Sequence, residues 1–462
     1  MTATRPATRR ISARNRELLG LLPASLLVTA GFAGIFIQRS NKISNVSLIY
    51  GAVFLALCLV AHLFIRRRLP WSDPYLFPLV AVLASFGIVM VYRIDPSQAR
   101  LQAQWFVLGL ILFVATIIWL HDYRKLERYR YVIMAGSLVL LVLPRLPVIG
   151  YQANGAYLGV HIPGLFVFQP EEFAKIGLVI FLASYMRDTR QVMVMGARRF
   201  LGLTIPPLKH FGPVLVIWGI AMLILLLLHD IGSSLMFYGG LLTILYVATS
   251  RVSFVVVGFI AFALGAWYLG AHITHVHSRV EDWLHPFNPQ LYHAPLGSYQ
   301  IANGIFAQAA GGMFGQGFGQ AALSIPGNPP VPLLPAPQTD MIYAVITDEL
   351  GLFGAAAVLL VYLLFIWRGF KTAMLARDSF STLMVAGLTT MLGLQVFVIV
   401  GGVTRVIPLT GVTLPFVSYG GSSIVANFVL VALVLLVSNR ARSPVVAPRA
   451  RAQAAAESAR RP

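Results

Sequence analysis

The sequence predicts an all-α integral membrane protein, built as a polytopic helical bundle of about 12 transmembrane helices. Of its 462 residues, 58% are hydrophobic and only 11% are charged, whereas roughly a quarter of the residues in a soluble domain are charged. The apolar runs approach the ~20 residues that a helix needs to cross a bilayer and are too long for barrel strands. Basic residues also collect in alternate connections between these runs, as in multi-pass membrane proteins.

Twelve apolar runs are the predicted membrane spans, and an even number places both termini on the same side. They cover residues 18–37, 46–65, 75–92, 102–120, 130–147, 170–186, 211–228, 234–250, 252–271, 342–367, 380–401 and 421–438. Residues 1–17 and 439–462 have no apolar face and are predicted to be flexible basic tails. Residues 272–341 are predicted to form a large structured outer loop, because "SYQIANGIFAQAAGG" within it spaces apolar residues by four.

The distribution of lysine and arginine determines the predicted orientation. If the N-terminus is cytoplasmic, the cytoplasmic segments hold 27 of the 35 basic residues and the outer segments hold seven. This asymmetry follows the positive-inside rule, so both termini are predicted to be cytoplasmic. The formal net charge of +19 therefore reflects topology, and no nucleic-acid partner is expected. The single cysteine, Cys58, leaves no internal disulfide to form.

Three carboxylates stand at the start of one predicted span, in "PAPQTDMIYAVITDELGLFG". Asp340 follows a proline-rich stretch and is expected near the outer interface, with Asp348 and Glu349 about two turns deeper. Thr339 or Asp340 could act only as a helix N-cap, since both residue types accept the free amides of a first turn. Alternatively, a carboxylate beside lipid has a raised pKa, which suits a general base for a hydroxyl group.

A second group of charges opens another predicted span, in "QPEEFAKIGLV". Glu172 and Lys175 are three residues apart, so they share a helix face and can pair. One interpretation is a structural ion pair within the membrane. The other is a polar cavity for an anionic ligand such as a pyrophosphate.

Two further residues are candidates for substrate binding. Asp230 interrupts two apolar runs in "LLLLHDIGSSLMF", where the simplest interpretation is a tight polar turn. Arg279, in "HSRVEDWLHPFNP", is one of the few basic residues on the predicted outer side. A guanidinium there could hold phosphate or carboxylate, or it could form a rim ion pair with Glu281 or Asp282.

Two other patterns in the outer loop have weaker implications. The spacing of His272, His275 and His277 could suggest zinc, but no second ligand cluster accompanies it, and no metal site is predicted. The glycine-rich segment "GGMFGQGFGQ", residues 311–320, follows no strand and lacks a Lys-Ser/Thr ending, so it is not a P-loop. Close backbone packing or a hinge is the expected role.

These stretches together resemble the SEDS family, the RodA and FtsW proteins of bacterial wall synthesis. Six motifs occur in the family's order over residues 75–438, and "GGVTRVIPLTG" is closer to the RodA-type members. The motifs are "QPEEFAKIG", "HDIGSSLMF", the Arg279 to "FNP" stretch, "YQIANGIFAQAAGGMFGQGFGQ", "LPAPQTDMIYAVITDELGLFG" and "IPLTGVTLPFVSYGGSSIVANF". The family core has ten helices, so the two spans within residues 18–74 would be an N-terminal addition, expected to be dispensable for chemistry.

The resemblance implies a peptidoglycan glycosyltransferase in the bacterial cytoplasmic membrane. Such enzymes polymerise lipid II at the outer face, for cell elongation or division, usually with a class B penicillin-binding protein as transpeptidase partner. The family's essential aspartate corresponds to Asp340, and its buried glutamate and lysine to Glu172 and Lys175. Asp340 would deprotonate the acceptor sugar, while Lys175 and Arg279 would face the leaving pyrophosphate. No cofactor is implied beyond a divalent cation carried by that pyrophosphate.

The chain also departs from the family pattern. The Arg-Trp that often precedes the "QPSE" motif is absent, and the family's Pro-Asp-Leu-Gly becomes His229-Asp230-Ile231-Gly232. These changes bear on contacts to the acceptor, and they leave Asp340 in place.

Two alternative functions are considered. A lipid II flippase predicts the same intramembrane charges but also a substrate path to the cytoplasmic side, whereas the polar groups concentrate toward the outside. A scaffold that only recruits a penicillin-binding protein would leave Asp340 and Lys175 without a role.

Overall fold

A computed structural model describes residues 12–40, 45–147, 149–153, 156–162, 166–195, 198–200, 203–205, 208–294, 297–325 and 331–444. The described helices are α1 Ala13–Ser40, α2 Asn45–Arg68, α3 Leu76–Ile94, α4 Pro96–Trp119, α5 Lys125–Arg128, α6 Arg130–Val142, α7 Glu171–Met195, α8 Leu208–Leu227, α9 Ile231–Thr249, α10 Val252–His272, α11 Thr274–Leu284, α12 Pro289–His293, α13 Tyr299–Gly311, α14 Ile342–Leu375, α15 Ser379–Val403 and α16 Gly421–Arg442, with a 3-10 turn at Leu143–Arg145.

The protein is a multi-pass helical membrane bundle, as the sequence predicts. Each of the 12 predicted spans coincides with a helix, and nine helices of the described chain are long and apolar enough to cross a membrane. The other three are α6, with 13 residues, α7, with charges at both ends, and α8, with a described apolar stretch of Phe211–Leu227. The count of 12 crossings therefore stays a prediction.

Short strands in the connections were not predicted from the sequence. The connection between α6 and α7 holds an antiparallel sheet in the order β1-β2-β3, with Val160 of the middle strand opposite both Gly150 and Phe168. Two hairpins, β4-β5 and β6-β7, lie in later connections. The strands are β1 Gly150–Ala153, β2 Ala156–Ile162, β3 Phe166–Phe168, β4 Arg198–Phe200, β5 Leu203–Ile205, β6 Ser324–Ile325 and β7 Val331–Pro332.

The core of the bundle is formed by α15 and α16. Within the most apolar stretch of 18 residues in each helix, 89% of the stretch in α16 and 78% of that in α15 is buried inside the protein, whereas only 6% of that in α10 is buried. The helix α16 packs along α4, and α15 packs against α7, α9 and α14. A helix that is apolar all round belongs in such a buried position, whereas the faces of α10 are left for lipid.

The outer loop contains the structure that the sequence predicts for it. The helix expected in "SYQIANGIFAQAAGG" is α13, and it packs against α14. The helix α14 is broken at Gly351, whose φ of 67° lies in the left-handed region, which favours glycine. The break separates a short buried helix, residues 342–350, from a longer one, residues 352–375. This short helix follows directly after Asp340.

The two N-terminal helices pack against the rest of the bundle. Helix α1 lies along α3, where Gly31 accommodates Val89 and the ring of Phe32 lies 4.7 Å from that of Tyr92. Near its first turn, the fully buried Glu17 pairs with Arg14 and with Nδ1 of His62, at 2.9 Å for the histidine. A buried carboxylate held by two basic groups fixes the relative position of α1 and α2.

Candidate active site

A cavity of about 700 Å³ opens at the end of the bundle where α4, α9 and α16 begin. Its wall combines aromatic rings with a concentration of polar groups. The residues that line it include Trp105, Tyr151, Gln169, His229, Asp230, His275, Arg279, Gln300, Thr339, Asp340, Thr410, Thr413, Tyr419 and Ser422. A concave site of this size with a few converging polar groups is typical of a ligand pocket.

Asp340 lies in the cavity wall, half-buried, directly before α14. Its Oδ2 accepts a hydrogen bond from Nε2 of Gln300 at 3.0 Å, and its Oδ1 accepts one from Oγ1 of Thr339 at 3.1 Å. The helix is capped by Met341, which makes no side-chain hydrogen bond. The N-cap interpretation of Thr339 or Asp340 is therefore wrong, because Met341 holds the N-cap position and both side chains make their hydrogen bonds with other groups.

The surroundings of Asp340 change its basicity. Burial raises the pKa of the Asp340 carboxyl, and the hydrogen bonds from Gln300 and Thr339 and the positive charge of Arg279 oppose that rise. The net result is a carboxyl group with a pKa above its ordinary value. A stronger base is the property that proton abstraction from a hydroxyl group requires.

The segment before α14 is held from the side of α16. Oγ of Ser418 donates to the carbonyl of Thr339 at 2.6 Å, and the amide of Tyr419 donates to the carbonyl of Gln338 at 2.8 Å. Gln102 of α4 in turn donates to the carbonyl of Ser418 at 2.9 Å. Two distant parts of the chain therefore fix the backbone on which Asp340 is placed.

Arg279 also lines the cavity, on the helix α11. It is half-buried, and within the described chain no ion pair joins it to Glu281 or Asp282. The rim ion pair considered from the sequence is therefore wrong, and the guanidinium remains available to a ligand. His275, one turn earlier, shares the wall, and burial together with Arg279 and His229 lowers the pKa of its imidazole.

Asp230 forms the polar turn that the sequence predicts and also lines the cavity, while its contact with a substrate stays a prediction. It is buried and forms the N-cap of α9, where its Oδ1 accepts from the amide of Ser233 at 2.9 Å. It also belongs to the cavity wall, next to His229. His229 has a φ of 61°, a conformation that costs energy in a residue with a β-carbon.

Glu172 and Lys175 form the predicted ion pair, but the pair is buried inside the bundle and lies outside the cavity wall. Both are buried, and Nζ of Lys175 also donates to Oε1 of Gln395 at 2.7 Å, while Nε2 of Gln395 donates to Oε1 of Glu172 at 3.2 Å. Neither charged residue lines the cavity. Glu172 and Gln395 engage the ammonium group of Lys175, and its contact with a pyrophosphate stays a prediction.

Sequence reasoning did not identify several residues of this site. Gln300, Ser418 and Gln395 are uncharged; the first two lie within the quoted motifs, and Gln395 lies outside all of them. His229 was noted only as a departure from the family pattern. No group of three or more His, Cys, Asp or Glu residues in the described part of the chain is arranged to hold a metal ion.

Comparisons with known proteins give consistent results. The family model FTSW_RODA_SPOVE, described as a cell cycle protein, matches residues 73–443. A peptidoglycan glycosyltransferase RodA of Mycobacterium tuberculosis is 39% identical over 448 residues, which are 94% of this chain and 92% of that protein.

Two solved structures are also similar. One, from a study of a peptidoglycan synthase complex that coordinates polymerization and crosslinking, has a TM-score of 0.64 at 26% identity, covering 81% of this chain and 99% of that one. The other is the rod shape determining protein RodA of Thermus thermophilus, with a TM-score of 0.57 at 26% identity, covering 81% and 98%. The family match spans most of the chain and includes every wall residue named above, so this chain belongs to the FtsW/RodA/SpoVE family.

Proposed function

We propose that this protein is a peptidoglycan glycosyltransferase that polymerises lipid II into glycan strands. The observation that carries the proposal is the position of Asp340, a carboxylate with a raised pKa in the wall of the cavity. A half-buried carboxylate held by two hydrogen bonds is a suitable general base for a sugar hydroxyl. The relatives named peptidoglycan glycosyltransferases support the same reaction.

The proposed mechanism assigns roles to two charged groups of the wall, Asp340 and Arg279. Asp340 removes the proton from the 4-hydroxyl of the acceptor sugar, and that oxygen attacks the anomeric carbon of the donor. The bond from this carbon to the pyrophosphate breaks, and undecaprenyl pyrophosphate leaves. Negative charge grows on the pyrophosphate, so Arg279 is placed to stabilise it, with any divalent cation carried by the pyrophosphate itself.

A helix end adds to the positive potential of the cavity. The wall includes Gly421, the first residue of α16, which has no side-chain cap, whereas Asp230 already caps α9 at Ile231. Helix N-termini present free amides and a partial positive charge, which favour a bound anion. This arrangement supports a substrate whose leaving group is anionic.

The proposed location is the bacterial cytoplasmic membrane, with both termini cytoplasmic and the cavity at the outer face. The helix ends opposite the cavity carry basic clusters, including Arg66, Arg67 and Arg68 at the end of α2, and Arg440 and Arg442 at the end of α16. The positive-inside rule assigns such ends to the cytoplasm. Lipid II can then keep its polyprenyl tail in the bilayer while its sugars reach Asp340.

The proposed partner is a class B penicillin-binding protein, which would cross-link the new strands. The similarity to a structure from a peptidoglycan synthase complex supports such an assembly. Purified protein with lipid II, alone and with this partner, should form glycan polymer that is visible on a gel. Transfer of lipid II across vesicles without polymer would instead indicate the flippase function, and neither activity would indicate a scaffold.

The rate of polymerisation should depend on pH through Asp340. Only the ionised carboxylate accepts a proton, so the rate should rise as the pH increases through the raised pKa of Asp340. Arg279 opposes that rise in pKa. The substitution Arg279→Gln should therefore move the acid limb of the profile of kcat/KM to higher pH, and it should also lower the maximum rate.

The matched control for this measurement is Arg100→Gln. Arg100 is an exposed residue of α4 outside the cavity wall, so its loss removes the same charge from the same end of the bundle. The control should leave the acid limb where it is in the wild-type protein. An acid limb that Arg279→Gln does not move would contradict electrostatic coupling between Arg279 and the base.

A further inference from the structure

The break in α14 is enclosed by the glycine-rich segment, residues 311–320. The amide of Leu352, just after the break, donates to the carbonyl of Gly312 at 2.9 Å, and the amide of Gly317 donates to the carbonyl of Glu349 at 3.1 Å. Four glycines of this segment, Gly312, Gly315, Gly317 and Gly319, have positive φ values. The close packing expected from the sequence is therefore confirmed, and this packing holds the end of the short helix that begins after Asp340.

The carboxylate of Glu349 connects this segment to a second helix. Its Oε2 accepts from the amide of Gly319 at 2.9 Å, and its Oε1 lies 3.0 Å from Nε of Arg93 at the end of α3. Arg93 also donates to the carbonyl of Ala321 at 2.9 Å. Glu349 is 1% exposed, so its negative charge depends on these donors.

Helix α1 reaches the same segment from the outside of the bundle. Nε2 of Gln38, in the last turn of α1, donates to the carbonyl of Gly319. One turn earlier, Gly34 provides the space in which the ring of Phe318 lies. The backbone of Gly319 is thus held at its carbonyl by Gln38 and at its amide by Glu349.

This contact comes from a part of the chain that precedes the family match. The match begins at residue 73, whereas α1 and α2 end at Ser40 and Arg68. The packing of α1 along α3 fixes Gln38 relative to Arg93, since both residues lie in the last turns of those helices. The addition is therefore tied to the helix that follows Asp340 through one continuous set of hydrogen bonds.

We propose that the N-terminal helix pair positions Asp340, with Gln38 as a positioning residue that acts through Gly319 and Glu349. The proposal rests on the proposed function of Asp340 as the general base. It replaces the expectation that residues 18–74 are dispensable for chemistry. The cavity wall and the N-terminal pair would move together, because hydrogen bonds hold the short helix 342–350 between them.

The test compares two single substitutions in helix α1 of the full-length protein. Gln38→Ala removes the hydrogen bond to Gly319, and Ser25→Ala removes the bond of Oγ of Ser25 to the carbonyl of Gly51, at 3.1 Å. The control bond is of the same kind but joins α1 only to α2. A single hydrogen bond contributes about 1 kcal/mol, which corresponds to a roughly fivefold change. We expect kcat for polymerisation to fall about fivefold in Gln38→Ala, with KM for lipid II unchanged, and to stay at the wild-type value in Ser25→Ala.

A second measurement on the same variants does not depend on activity. Hydrogen exchange should accelerate in residues 312–320 and 342–350 of Gln38→Ala, and it should stay unchanged there in Ser25→Ala. Unchanged exchange in both segments, or an equal loss of kcat in both variants, would overturn the positioning role. A wild-type protein that forms no polymer would contradict the proposed function, while the exchange data would still decide whether Gln38 holds the segment.

Discussion

The variant Asp340→Asn should fold, reach the membrane and form no glycan polymer. Asparagine keeps the shape of the side chain and can still accept the hydrogen bonds of Gln300 or Thr339 at one oxygen. It loses the basic oxygen that removes the proton. General-base assistance contributes roughly 10²–10⁴-fold, so the expected loss is at least about 100-fold in kcat. The measurement is polymer length and amount on a gel, from purified wild-type and variant protein with lipid II.

Two controls make this result specific. An inhibitor of classical transglycosylases, of the moenomycin type, excludes polymer made by a contaminating enzyme. The substitution Thr339→Val removes the hydroxyl that donates to Asp340 and keeps the carboxylate, so it should retain most of the activity. Polymer at the wild-type rate from Asp340→Asn would exclude the carboxylate as the base and would require another acceptor of the proton.

Removing one member of the Glu172–Lys175 pair should lower the free energy of unfolding more than any of the other substitutions does. Both side chains are buried, so Lys175→Ala or Glu172→Ala leaves one unpaired charge next to Gln395. Such a change typically costs about 3–5 kcal/mol. The expected result is a much lower thermal unfolding temperature in detergent and little active protein in the membrane for each single variant.

The double variant Glu172→Gln with Lys175→Met separates a structural role from a catalytic one. It removes both charges and leaves an amide that can still pair with Gln395. Replacement of a whole buried pair is often close to neutral for stability. Because neither residue lines the cavity, the double variant should be stable and should polymerise lipid II. A stable but inactive double variant would show that the pair acts on the substrate.

The membrane architecture could be predicted because hydrophobic length and basic charge are read directly from the sequence. Every predicted span coincides with a helix, including the one that begins at residue 342. The crossing count stays a prediction, because α7 mixes charges into its span and α6 is short. The strands between α6 and α7 were missed, since three- to seven-residue strands in a membrane loop give little periodic signal.

The charged residues predicted for the site divide into those exposed to the cavity and those that a neighbour engages. Asp340, Asp230 and Arg279 all lie in the wall. Lys175 does not, because its contact with Gln395 joins residues 220 positions apart, and no local pattern reports such a contact. Gln300 and Ser418 hold Asp340 and its segment through uncharged donor groups, which give no signal in the charge or hydropathy pattern.

The break at Gly351 has a consequence for how the protein fits bilayers of different thickness. The 24 residues from Leu352 to Leu375 form a helix roughly 36 Å long, which exceeds a hydrocarbon core of ~30 Å and must tilt to fit it. Its surface includes exposed Leu360 and Leu363, whereas residues 342–349 before the break are buried. Because residues 312–317 bond to the chain on both sides of the break, the tilt of the longer helix and the depth of Asp340 are fixed together, and a bilayer of different thickness must adjust to them.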